Sequence, residues 1–251
     1  MSEIPSTPHT TRLADHVADA FKEGGALARS LNIFEQRHSQ TEMSTAVADI
    51  LDDGGILVVE AGTGIGKTLA YLVPIILSRK RVLISTGTKN LQEQIYFKDL
   101  PALQEALGVT FTATYMKGRA NYLCLHRFEA QCQNPTPRSA TDDAYLTTIK
   151  QWLTVTETGD RAELENIPED LPSWNEISAT NENCIGRECT QYEECFVTRM
   201  RQRASESDLV IVNHHLLCAD AAVRQSAYGE VIPTCDYAVI DEAHQLEEIA
   251  T

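Results

Sequence analysis

Apolar and polar positions fall into short blocks along this chain, and their spacing changes from block to block. Leu13, Val17, Ala20 and Phe21 recur at helical spacing up to the pair Gly24-Gly25. Residues 32–51 lead into a second helix, with Arg37, Gln40 and Met43 three apart on one face. Asp52-Asp53-Gly54-Gly55 reads as a turn. Ile56 to Val59 is an apolar run that predicts a strand, and helical spacing resumes at Leu69 and ends near residues 78–80. RVLIST at 81–86 predicts a short buried strand, and 88–107 a helix broken near Pro101. Residues 109–116 alternate and predict another strand, followed by a helix over 120–131. Strands alternating with helices imply an α/β fold, a parallel sheet with helices on both faces.

The pattern changes at 134–183. Pro135, Pro137, Pro168 and Pro172 punctuate this stretch, and only 142–153 predicts a solid helix. It reads as an inserted subdomain. Strand patterns return at DLVIVN (208–213) and YAVID (237–241).

The stretch EAGTGIGKTL at 60–69 lies between a predicted strand and a predicted helix, the context of a phosphate-binding loop. Gly62, Gly64 and Gly66 let the backbone turn its N–H groups toward phosphate oxygens, while Thr63 and Ile65 fill the loop between them. The helix N-terminus adds its positive end. Lys67 suits the β- and γ-phosphates of ATP, and Thr68 suits Mg²⁺. The strict pattern begins with Gly, where this chain has Ala61.

A strand that ends in two carboxylates is the complement such a loop needs. Asp241 is placed to hold Mg²⁺, and Glu242 to orient and polarise the water that attacks the γ-phosphate. His244 would link this site to the nucleic-acid side.

The 251 residues carry a net charge of −15, which argues against a uniformly basic nucleic-acid binder. The charge is uneven, however. Residues 71–130 hold eight Lys/Arg against four Asp/Glu, and 131–183 hold three against ten. Candidate phosphate contacts are the basic segment 71–130 with Arg199, Arg201 and Arg203, or those three arginines pair with nearby glutamates instead. No apolar run approaches the about 18 residues of a membrane span, and the polar N-terminus lacks a secretory pattern. A cytoplasmic setting is therefore expected, in which seven cysteines need a reason other than disulfides.

Cys184, Cys189 and Cys195 follow C-x4-C-x5-C, in a polar stretch. Cys124 or Cys132 supplies a fourth thiol. Four thiolates suit an iron–sulfur cluster or zinc. Cys218 and Cys235 flank apolar segments and read as packing residues.

Taken in order, these motifs resemble those of the XPD-like, iron–sulfur superfamily 2 DNA helicases. The carriers are RHSQTEM (37–43), VVEAGTGIGKT (58–68), ISTGTKNLQEQ (84–94), KGRANYLC (117–124), CIGREC and a further cysteine (184–195), VIVNHHLL (210–217) and IDEAHQL (240–246). The resemblance implies a RecA-like P-loop fold interrupted by a cluster insert, with a [4Fe–4S] cluster on Cys124, Cys184, Cys189 and Cys195. It makes Gln40, with Arg37 nearby, the adenine position. It brings Ser85 to Thr88 to a single-strand backbone, although an ordinary helix cap explains those residues too. It implies an ATP-dependent 5′→3′ DNA helicase that works on single-stranded and forked duplex DNA in repair or replication.

The expected organisation is a tail at 1–12, the first part of motor domain 1 at 13–123, the insert at 124–200, and a return to the motor domain at 201–251. A second motor domain lies outside these residues, so the chain is expected to be an N-terminal fragment that binds ATP and DNA with little turnover. Two other classes compete with this one: a binding module without turnover, and a zinc-bearing regulatory ATPase.

Overall fold

The computed structural model describes residues 12–30, 34–62, 64–133, 140–168, 171–180, 183–225 and 230–250. The expected tail up to residue 11, Thr63, Pro135 and Pro137 lie outside these. Along the chain run α1 (Leu13–Phe21), α2 (Ala26–Ser30), α3 (His38–Asp53), α4 (Lys67–Ser78), β1 (Val82–Thr86), α5 (Lys89–Gln94), α6 (Leu100–Leu107) and β2 (Ala113–Tyr115). Then follow α7 (Leu125–Gln133), α8 (Ala140–Trp152), α9 (Pro172–Ile177), α10 (Phe196–Glu206), β3 (Leu209–Asn213), α11 (His214–Gln225), β4 (Tyr237–Ile240) and α12 (Leu246–Ala250). No helix among the described residues is long and apolar enough to cross a membrane.

The chain divides into two compact units. One comprises residues 1–115, 207–214 and 234–251, and the other residues 116–206 and 215–233. The first holds a four-stranded parallel sheet in the order β2-β3-β1-β4. Every residue of β1 and β3 is buried. Because successive strand side chains face opposite sides, both faces of this central pair are covered, which suits the apolar runs 82–84 and 209–212. Helices α1, α3 and α4 pack on one another, and the core runs through Phe21, Leu51, Leu72, Ile75 and Ile84. Gly24, at φ 70, separates α1 from α2.

The expected break near Pro101 is a widened π-type turn at Ile95–Asp99, so α5 and α6 run on through it. Proline has no N–H to donate to the carbonyl four residues back, which loosens the turn before it. The alternating stretch 109–116 yields only the three residues of β2. The helix expected over 120–131 starts later, as α7, after a 3₁₀ turn at Arg119–Asn121.

The larger correction concerns 56–59. This run joins no strand ladder, and Ile56 and Val58 are 93% and 91% exposed. Its β propensity gives extended backbone, but a strand also needs a partner's N–H and C=O groups. None of the four paired strands supplies them to this run, although β2 and β4 are the edges of the sheet.

The second unit is built of short helices and turns. Tyr122 bridges Asp160, and Leu123 bridges Ser178, both antiparallel. Trp174 is buried there and donates from Nε1 to the Ala120 carbonyl at 2.8 Å. A buried ion pair joins Lys117 Nζ to Asp160 Oδ2 at 2.6 Å, with side chains 2% and 1% exposed. Asp160 also accepts from the Ala162 N–H at 3.0 Å, capping a 3₁₀ turn. Lys117, counted above among the basic residues of 71–130, is thus withdrawn from the surface.

Candidate functional site

The glycine-rich loop runs into α4 through two left-handed residues, Gly64 (φ 79) and Gly66 (φ 84). This backbone suits glycine, which lacks the Cβ that penalises positive φ. Space around the two differs. A Cβ on Gly64 meets nothing within 4 Å, whereas one on Gly66 would collide with the Gln40 amide. The buried Gln40 donates from Nε2 to the Gly66 carbonyl at 2.9 Å, and Arg37 donates to the Gly64 carbonyl. The start of α3 therefore fixes the shape of the loop, a role that spacing alone did not suggest. Ala61 and Ile65 are half-buried, and Gly62 is exposed.

Lys67 is the first residue of α4, and its Nζ donates to Glu242 Oε1 at 2.7 Å across 175 residues of sequence. The hydrogen bond raises the Lys67 pKa and lowers that of Glu242, so each charge secures the other. Glu242 is one of only two non-glycine residues with positive φ among the described residues, at φ 54. Such backbone costs on the order of 1–3 kcal/mol and concentrates at functional positions. Asp241 extends the register of β4, donating its N–H to the Ser85 carbonyl at 2.9 Å. The Tyr71 hydroxyl of α4 donates to Asp241 Oδ2 at 3.1 Å. Burial, then the Asp241 charge, pushes the Tyr71 pKa well above its ordinary value, so it stays a donor. The nearby Thr68 acts the other way on that hydroxyl, without reversing the shift. His244 is exposed, with Nδ1 3.5 Å from Glu242 Oε2.

Beside these groups, Thr88 caps α5 by accepting from the Leu91 N–H at 3.2 Å. A Cβ on Gly87 would collide with Gln245, just past the acidic pair. The buried His214 meets Ser85 Oγ through Nδ1 at 2.7 Å. His214 and Gln245 escaped individual notice because nothing in their local spacing sets them apart.

In the second unit, Cys124 opens α7, its N–H donating to the Ile177 carbonyl at 2.8 Å and its carbonyl accepting from Phe128. Successive turns carry Cys184, Cys189 and Cys195, and the Cys195 carbonyl accepts from the Arg199 N–H at the start of α10. All seven cysteines are free thiols. Burial raises the Cys124 pKa, and the nearby Cys195, Cys189 and Cys184 raise it further. Cys132 is exposed near the end of α7. Among the described residues, no group of three or more Cys, His, Asp or Glu side chains is arranged to hold a single metal ion. Arg199, a candidate phosphate contact, pairs with Glu194.

Comparison with known proteins fits this geometry. The DEAD/DEAH box helicase model matches residues 40–152. The chain is 43% identical over 237 residues to the ATP-dependent DNA helicase YoaA of Escherichia coli, covering 94% of this chain and 37% of that protein. Identity to the YoaA of Haemophilus influenzae is 42%, with the same coverage. The 3′-5′ exonuclease DinG of Bacillus subtilis is 37% identical over 90% of this chain and 24% of its own length. The chain thus spans little more than a third of the YoaA relatives. By sequence, the chain is similar to the YoaA and DinG proteins over nearly all of its length, and it matches the DEAD/DEAH box helicase model over residues 40–152.

Proposed function

We propose that this chain is the nucleotide-binding part of an ATP-dependent DNA helicase. The observation that carries the reading is the meeting of Lys67 with Glu242 at 2.7 Å, beside Asp241. Residues 61–68 take the triphosphate of ATP, with Lys67 exchanging Glu242 for phosphate oxygens. Thr68 and Asp241 take Mg²⁺. Glu242, freed by that exchange, positions the attacking water. Gln40 and Arg37 hold the loop, and the resemblance implies Gln40, with Arg37 nearby, as the adenine position. The rest of the protein supplies 5′→3′ translocation on single-stranded and forked DNA in repair, in the cytoplasm. Arginines that complete the charge on the γ-phosphate are expected outside residues 1–251, so this chain alone binds ATP and turns it over slowly.

Cys124, Cys184, Cys189 and Cys195 are proposed to hold a [4Fe–4S] cluster in an insert spanning 124–200. All four are free thiols, and Cys184, Cys189 and Cys195 lie on successive turns of a polar stretch, which supports the reading. The cluster ties these turns together when bound. The chain's own part is to hold the four sulfurs by the backbone bonds described above.

Titration with a fluorescent ATP analogue tests the nucleotide site. Lys67→Ala should weaken binding by about 1.5–3 kcal/mol, the usual worth of a charge-assisted hydrogen bond. Glu242→Gln should keep binding while phosphate release falls. Equal affinity of Lys67→Ala and the parent chain overturns the assignment.

A further inference from the structure

We infer that Tyr71 is a positioning residue for Asp241: its hydroxyl holds one carboxylate oxygen against α4, so that the acidic pair stays at the glycine-rich loop when Lys67 lets go of Glu242. This rests on the nucleotide reading above. Lys67 and Tyr71 are four residues apart and therefore lie on one side of α4. They meet consecutive residues at the end of β4. Lys67 Nζ donates to Glu242 Oε1 at 2.7 Å, and the Tyr71 hydroxyl donates to Asp241 Oδ2 at 3.1 Å. Two side-chain bonds thus join the helix to the acidic pair, and they differ in burial. Lys67 and Glu242 are half-buried, whereas Tyr71 and Asp241 are buried. The outer bond is open to exchange with phosphate oxygens. The inner one is sheltered from water that would compete for it.

The hydroxyl is not needed for packing. Helix α4 buries Ala70, Leu72, Val73, Ile75 and Ile76 along with Tyr71, and a phenylalanine ring would fill the same space. A buried hydroxyl costs free energy unless it is bonded, and here its acceptor is the carboxylate proposed to take Mg²⁺. The Asp241 main chain is fixed as well, by its N–H on the Ser85 carbonyl at 2.9 Å. The orientation of the carboxylate is therefore set from two sides. An ionised carboxylate accepts at about four positions, of which Tyr71 takes one and leaves the rest. One carboxylate and the Thr68 hydroxyl suit Mg²⁺, which takes few protein oxygens and completes its shell with phosphate and water. Losing a hydrogen bond to a ligating carboxylate typically weakens metal binding by about 10–100-fold.

The experiment measures affinity for a fluorescent ATP analogue, in Mg²⁺ and in excess chelator, for the parent chain, Tyr71→Phe, Asp241→Ala and the double variant. Tyr71→Phe should match the parent without Mg²⁺ and lose about tenfold of the tightening that Mg²⁺ gives. In the Asp241→Ala background, Tyr71→Phe should change nothing further, because its acceptor is gone. A tyrosine that serves only the fold weakens binding equally in both conditions, and that result overturns the inference. So does a Tyr71→Phe that behaves as the parent in both, or a full further loss in the double variant. A parent chain that does not bind the analogue, or binds it equally with and without Mg²⁺, overturns the nucleotide reading on which the inference stands, a result distinct from the others.

Discussion

At the residue scale the nucleotide loop depends on a few close approaches. Gly64 and Gly66 share left-handed backbone, but only Gly66 lies against Gln40. Alanine at either position incurs the left-handed penalty of about 1–2 kcal/mol. At Gly66 it must also displace the Gln40 amide and break its bond to the loop. Gly66→Ala is therefore expected to destabilise more than Gly64→Ala, and the two should converge in a Gln40→Ala background. Urea denaturation of the set measures this, and equal penalties in the parent background contradict it. The Lys67–Glu242 pair has its own pH signature. The Glu242 pKa is held below the ordinary glutamate value of about 4.3. Its contribution to stability is whole above that value and lost as pH falls through the lower, folded one. The Lys67 pKa is raised above about 10.4, so its share is whole below that value and lost as pH rises through the folded one. The stability difference between parent and Glu242→Gln should be flat from about pH 6 to 9 and shrink toward pH 3. A difference that grows toward acid pH contradicts the pairing.

At the element scale, KGRANYLC shows how one motif serves two ends. Its Lys117 is fastened to Asp160, the Lys117 N–H donates to the Tyr122 hydroxyl at 3.2 Å, and Tyr122 bridges Asp160. The strand-like entry at 122–123 is thus pinned before Cys124 is reached. Removing one partner of such a buried pair strands the other charge and costs about 3–5 kcal/mol. Lys117→Met should weaken the second unit by that amount. Both tryptophans, Trp152 and Trp174, belong to this unit, so tryptophan fluorescence during urea unfolding reports on it. A loss below about 1 kcal/mol would mark Lys117 as an ordinary surface base. The run 56–59 makes the opposite point, since its strand-like residues gain no burial from the sheet and leave Ile56 and Val58 open to water.

At the scale of the whole molecule, a net charge of −15 is set against a basic stretch in which Lys117 is neutralised internally. Lys117 is paired with the Asp160 carboxylate and buried, whereas Arg79 and Lys80 meet the neutral Thr110 carbonyl and Tyr237 hydroxyl and keep their charge. The count of basic residues overstates the positive field available to a nucleic acid by Lys117. On the proposed cluster reading, metal binding should stabilise the second unit, whose turns between Cys184 and Cys195 have little apolar core of their own. Cys124→Ser should lose iron and open residues 134–195 to protease, while Cys132→Ser should keep both iron and protection. The reverse pattern would move the fourth ligand to Cys132.

Local sequence determined much of this protein. The short apolar runs of β1 and β3, bounded by polar residues, predicted strands buried on both faces, and the glycines before Lys67 predicted a loop opening a helix. The acidic pair was legible because it ends an apolar strand. These features depend on neighbours a few residues apart, whose spacing and backbone preferences the sequence states directly. Tertiary structure alone decided the rest. It placed Lys67 on Glu242 across 175 residues, turned Gln40 onto the loop, buried Lys117 against Asp160, and left 56–59 without a partner. Each of those outcomes depends on which distant segment packs nearby, because a hydrogen bond or a strand ladder needs a second group whose position spacing along the chain does not fix.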